Sequence, residues 1–260
     1  MNFNDMDIPV LNDKINELSQ KYIKFLNNSK TEREIITNVK DMAEKNGFKE
    51  LSTFQQLKAG DKVYYVNKEK NIFLAVIGDQ DLNDGLNIIV THSDSPRLDL
   101  KPNPLYEHDG LAYFKTHYYG SIKKYQWTTI PLAIHGVIAK TTGEKINIVV
   151  GDQEGDPVMV ITDLLPHLAD EQMEGKMKDG ITGEALNLLV GNIPLKGQKK
   201  DGIKSNVLNI LKEKYNISEI DFTSSEIEVV PALKCREVGL DKSMIGGYGQ
   251  DDRSLVFVAA

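Results

Sequence analysis

At 260 residues the chain can form one large domain or two smaller ones with a real core. Its 40% hydrophobic and 27% charged residues are ordinary for a globular protein, and a formal charge of −7 argues against a nucleic-acid partner, which needs clustered Lys and Arg. A single cysteine, Cys235, excludes an intrachain disulfide.

Residues 1–20 lack the basic and apolar regions of a signal peptide, and no apolar run approaches the roughly 20 residues that span a bilayer. A cytoplasmic protein with no membrane partner is the expectation. Leu11, Ile15, Leu18, Tyr22 and Phe25 recur at helical spacing, which predicts an amphipathic helix over 11–28. Thr31 and Glu34 form a capping-box pattern ahead of Ile35, Ile36, Val39 and Met42, with Gly47 as the stop of that second helix.

Strand-like runs follow at 62–66, 72–77 and 86–90. The last, "LNIIV", is continuously apolar, the pattern of a strand buried on both faces. Helices followed by such strands predict an α/β sheet covered by helices. From about residue 102, strand patterns at 113–119, 130–139 and 145–150 are separated by Gly- and Asp-containing turns without helices between them, a β-rich insert. Segments 163–170 and 182–189 are ambiguous; 203–215 reads as a helix, 226–230 as a strand and 252–260 as a final helix.

His92 stands just past the run at 86–90, where open α/β sheets bind ligands beyond the carboxyl ends of their strands. Asp94 has the spacing to fix its tautomer beside a metal. A strand-end histidine hydrogen-bonded to a turn aspartate fits the same residues. In "GGYGQDDRSLVF", Asp251 and Asp252 are adjacent carboxylates that repel unless a cation, a shared proton or solvent relieves them. A metal is one resolution and N-capping of the last helix by one of the pair is the other. His108, His117 and His135 read as surface residues of the insert, His135 alternating with Ile134 and Val137 as a solvent-facing residue would. Cys235 and Trp127 read as packing residues.

Together "THSDSPRLDLKP" and "DKSMIGGYGQDDR" resemble the M18 family of zinc aminopeptidases, and the likeness continues through "YGSIKKYQW" and "LLPHLADEQ". The resemblance implies a zinc-exopeptidase-type α/β sheet covered by helices, residues 1–100 and 232–260, interrupted by a β-rich oligomerisation insert at 101–231. It implies two zinc ions per complete site, with His92 a terminal ligand, Asp94 the acid that orients it, and Asp251 the bridging carboxylate, followed by a cis peptide to Asp252. His167 would bind substrate in a neighbouring subunit. The implied substrate is a peptide cut at its N-terminus, and the implied assembly a homo-oligomer, a dodecamer.

The family's remaining motifs, a Glu-Glu pair, an Asp and a His, would follow "DDR", and the chain stops nine residues beyond Asp251. An N-terminal portion of a longer enzyme, incomplete at its C-terminus and inactive alone, is therefore expected. Two other readings stand beside it: a non-catalytic assembly module derived from such an enzyme, and a mononuclear hydrolase using His92, Asp94 and Asp251.

Overall fold

The computed structural model describes residues 8–260, with side chains from Asp13 onward. Leu11 of the first apolar stripe, and residues 1–7 of the segment read as no signal peptide, lie outside the described side chains and backbone respectively. Two helices open the chain, α1 (Ile8–Asn27) and α2 (Glu32–Lys45), followed by β1 (Lys49–Glu50), β2 (Lys62–Asn67) and β3 (Asn71–Val76). Next come β4 (Arg97–His108), β5 (Leu111–Tyr119), β6 (Leu132–Ala139), β7 (Lys145–Val150), the short α3 (Asp170–Glu174) and β8 (Asn187–Gly191). The chain ends with α4 (Gly202–Tyr215), β9 (Ser225–Pro231), β10 (Arg236–Val238), β11 (Met244–Gly246) and α5 (Gln250–Ala259). No helix among the described residues is long and apolar enough to cross a membrane.

Two compact units divide the chain. One holds the described residues up to Ser95 together with Lys234–Ala260; the other is Pro96–Leu233. The sequence boundaries at 100/101 and 231/232 fall just inside those divisions, because β4 begins at Arg97 and belongs wholly to the second unit.

In the first unit the capping box forms as read. Thr31 accepts from the Glu34 backbone while the Glu34 carboxylate accepts from the Thr31 N–H, which satisfies two of the helix's free donors. Gly47 follows the Asn46 C-cap at φ 85°, where a side chain would be strained. Phe25, Leu26, Ile35, Val39, Cys235 and Val256 form the core, with Tyr22, Ile72, Leu74, Ile245 and Phe257 packed on it. Among the described side chains of α1, those of the last turns take part, whereas Ile15 and Leu18 are exposed. Tyr64 on β2 donates to the Glu44 carboxylate on α2 at 2.6 Å, tying helix to sheet.

Helices and strands mix in this unit as the α/β reading expects, but the strand read at 86–90 does not form. The sheet is small and mixed, β1 parallel to β2 and β2 antiparallel to β3, with β10–β11 a separate antiparallel pair. Residues 86–90 form no strand, and Leu86, Ile88, Ile89 and Val90 are all exposed. A strand buried on both faces needs ladder partners on both edges and cover above and below. None of the described strands pairs with this run.

The second unit is a six-stranded antiparallel sheet in the order β7-β6-β9-β4-β5-β8. Leu98, Leu132, Ile138, Leu188, Val229 and Val230 are sealed from solvent in it. Ile203, Val207 and Leu211 of α4 are buried as well, and the Glu107 carboxylate on β4 accepts the N–H groups of Ile203 and Lys204, capping that helix. The sequence reading has no strand at β4, where Pro102 and Pro104 remove ladder donors. The strand absorbs them in a register shift between Leu100 and Leu105.

His135 is a second correction. It is 2% exposed, and its Nε2 lies 3.1 Å from the buried carboxylate of Asp152. Its strand β6 is covered on both faces, so alternation carries no solvent-facing meaning there. His108 and His117 are exposed, as is His167 in the single 3₁₀ turn Pro166–Leu168.

Candidate metal centre

The loop after β3 and the turn before α5 meet in the first unit. Gly249 takes φ 68°, reversing the chain so that Asp251 and Asp252 follow at non-helical angles, joined by a cis peptide bond. The regular helix resumes at Arg253, beyond these two non-helical acids, and their carboxylates are turned to one neighbour.

They face His92. Its Nε2 lies 3.0 Å from Asp251 Oδ1 and 3.9 Å from Asp252 Oδ2, and its backbone N–H donates to Asp252 Oδ2 at 3.3 Å. The other ring nitrogen, Nδ1, is 3.0 Å from the backbone carbonyl of Asp94 and 3.4 Å from that residue's carboxylate. Asp94 therefore orients the ring chiefly through its main chain, with its side chain close behind. With Nδ1–H donated to that carbonyl, Nε2 meets the Asp251 carboxylate as an N–H donor, and loss of that proton to a metal would give the lone-pair nitrogen of a ligating histidine. Burial works against charge on His92, but the Asp94 carbonyl and the Asp251 carboxylate, joined by the charges of Asp252 and Asp94, hold its pKa above the ordinary value.

The donor set fits zinc. Ligand atoms of His92, Asp251 and Asp252 all lie within 4.8 Å of one another. Two ligands on one tetrahedral zinc, with bonds of about 2.0–2.1 Å, stand roughly 3.3 Å apart. The 3.0 and 3.9 Å separations bracket that spacing. An imidazole with carboxylates also matches the metal's ligand preference. Asp251 is 93% exposed and so open to further partners. Among the described residues no second cluster of three such donors forms. Cys235 stays outside it: burial pushes its thiol pKa up, and it packs in the core. His167, in the second unit, is not part of the cluster either.

Two residues were passed over in the sequence reading. Ser95, buried, donates its hydroxyl to the Asp251 carbonyl at 3.2 Å. Arg253, 1% exposed, donates Nε to the Gly249 carbonyl at 2.7 Å and Nη1 to the carbonyls of Leu26 and Ser29. Both sit inside the quoted motifs, but nothing in their spacing marks them as buried.

Comparison with known proteins places these residues in context. The family model described as aminopeptidase I zinc metalloprotease (M18) matches residues 25–260. A protein of Clostridium acetobutylicum named probable M18 family aminopeptidase 1 is 50% identical over 247 residues, covering 93% of this chain and 53% of its own length. A crystal structure of an M18-family aminopeptidase from Thermotoga maritima superposes with a TM-score of 0.91 at 49% identity, over 95% of this chain and 54% of that one. Aminopeptidase I of Borrelia burgdorferi B31 gives 0.86 at 43%, over 96% and 57%. The chain thus spans about half the length of the relatives it matches. A yeast protein solved as a dodecamer shares the fold, with a TM-score of 0.67 at 18% identity over 95% of this chain and 57% of that one.

Proposed function

The chain belongs to the M18 family of zinc metalloproteases, and on that premise we propose that it supplies one wall of a metal-dependent aminopeptidase site. The observation that carries this reading is the 3.0 Å approach of His92 Nε2 to Asp251 Oδ1 with Nδ1 already committed to Asp94. His92, Asp251 and Asp252 would hold the zinc, His92 through Nε2 and the two aspartates through their carboxylates. When bound, zinc polarises a scissile carbonyl and acidifies water at neutral pH. The protein's own groups would hold and orient that centre: Asp94 fixes the imidazole through Nδ1, and the turn at Gly249 brings both carboxylates to His92.

The substrate in this reading is a peptide with a free N-terminus. The second unit, residues 101–231 in the sequence division, serves assembly of a homo-oligomer in which the exposed His167 reaches a neighbour's substrate. The lone, buried Cys235 suits a reducing cytoplasm. No general base stands in the donor cluster, and the cluster offers three side chains where a zinc pair needs more. The 260 residues alone therefore bind metal weakly and do not turn over.

The test is to assay the purified chain with zinc, cobalt or manganese on aminoacyl substrates, and to titrate zinc into it while following the His92 ring by NMR. Saturable perturbation of His92 without turnover is expected. Turnover that disappears in Asp251→Ala would overturn the claim of incompleteness, and a His92 ring indifferent to millimolar zinc would overturn the metal reading.

A further inference from the structure

The carboxylates of the centre ride on a turn that the protein fixes from beneath. Gly249, at φ 68°, has no room for a side chain: a Cβ there would lie 2.3 Å from Arg253 Nη2 and 2.7 Å from Ser95 Oγ. The Arg253 guanidinium closes the turn by taking the Gly249 carbonyl, and it reaches on to the Leu26 and Ser29 carbonyls. Leu26 lies in the last turn of α1, where carbonyls have no helical partner and where a cation is favoured. The guanidinium carbon also lies over the Tyr248 ring, 5.1 Å from its centroid, a cation–π contact. Two more contacts anchor the turn. Tyr22 of α1 donates to the Gln250 side chain at 3.3 Å, and Gln250 donates to the Ile245 carbonyl at 3.0 Å. From the other side, Ser95, three residues beyond His92, donates to the Asp251 carbonyl.

From this geometry we propose that Arg253 and Ser95 are positioning residues of the metal centre, which lock the Gly249–Asp252 turn to the end of α1 and to the His92 loop so that the donor atoms converge before metal arrives. This rests on the metal reading above. Arg253 acts through its shape as well as its charge. Its planar fork serves three carbonyls at once, which an ammonium on a flexible stem does not reproduce. Metal sites lose affinity when the groups that hold their ligands are removed, by about 10–100-fold.

The experiment is a zinc titration of the 260-residue chain followed at His92 Nε2 by NMR, repeated for Arg253→Lys and Ser95→Ala, with urea unfolding measured in parallel. A cobalt titration of the same proteins, read by visible absorption, reports ligand geometry independently of affinity. If the unaltered chain shows no saturable response, the metal reading itself fails. If it responds, the proposal expects Arg253→Lys to raise the zinc midpoint at least tenfold, and Ser95→Ala severalfold, at temperatures where each is folded, with an altered cobalt spectrum. Stability loss with unchanged midpoint and spectrum means a merely structural role and overturns it. Should Arg253→Lys fail to fold, Ser95→Ala decides: an unchanged midpoint and spectrum in that variant overturns the proposal.

Discussion

His92 Nε2 and Asp251 Oδ1 stand 3.0 Å apart across 159 residues of chain, and the carboxylate that makes this contact is 93% exposed. A well-exposed pair of this kind contributes about 0–1 kcal/mol to folding, because water competes for both partners and side-chain order opposes it. On the metal reading proposed above, the pair serves ligation rather than stability. Asp251→Asn keeps the shape and removes the charge. It is expected to shift urea unfolding by less than about 1 kcal/mol while weakening zinc binding at least tenfold. Equal losses in both measurements would return the pair to an ordinary hydrogen bond.

The second unit makes a steric prediction. Gly136 sits on β6 against β9, and a Cβ there would lie 2.1 Å from the Glu226 carbonyl oxygen and 2.7 Å from the Ile227 Cα. Both are backbone atoms of a paired strand and cannot turn aside. Gly136→Ala is expected to destabilise the protein by at least the 1–3 kcal/mol or so typical of overpacking. Urea unfolding followed by tyrosine and tryptophan fluorescence would show it. Unchanged stability would mean that the β6–β9 register differs from the one described.

These sites divide what was legible in the sequence from what was not. Local signals held: the Thr31–Glu34 capping box, the stop at Gly47 and the helix read over 203–215, observed as Gly202–Tyr215, all form where short-range chemistry calls for them. Residues that depend on distant partners were misread. His135 looks solvent-facing by alternation, yet lies buried beside Asp152 because neighbouring elements cover both faces of β6. The strand β4, with Pro102 and Pro104 in it, was not read, and a register shift preserves it. At the centre, the types and spacing of His92 and Asp251 raised the possibility of a metal. That the Asp94 main chain holds the ring, and that Arg253 is buried under the turn, depends on a fold no local pattern encodes.

Alkaline pH should loosen the tie between α2 and β2. The hydrogen bond to the Glu44 carboxylate, aided by burial and by the charges of Glu44 and Glu50, pushes the Tyr64 pKa up to about 12. A phenol whose folded pKa exceeds its unfolded value of about 10 contributes stability that is full below pH ~10 and lost as pH rises toward ~12. Unfolding measured from pH 8 to 12 should therefore decline over the upper part of that range. In Glu44→Gln the Tyr64 titration should move back toward the ordinary phenol value and the alkaline decline should shrink. A Tyr64 absorbance titration that ignores Glu44→Gln would remove the hydrogen bond as the cause.

The run at 86–90 offers the sharpest contrast between pattern and structure. Its sequence is that of a doubly buried strand, yet Ile89 is 79% and Val90 84% exposed. Ile88, Ile89 and Val90, apolar, β-branched and outside every described strand, make a template for intermolecular pairing. Ile89→Asp is expected to change unfolding free energy by no more than about 0.5 kcal/mol, as for a surface position. It should also lower self-association measured by sedimentation or light scattering, since a charge in such a window blocks pairing. A loss above about 2 kcal/mol would have the opposite meaning. Burying an unpaired carboxylate is among the few changes that cost that much, so the segment would have to be packed in the folded chain.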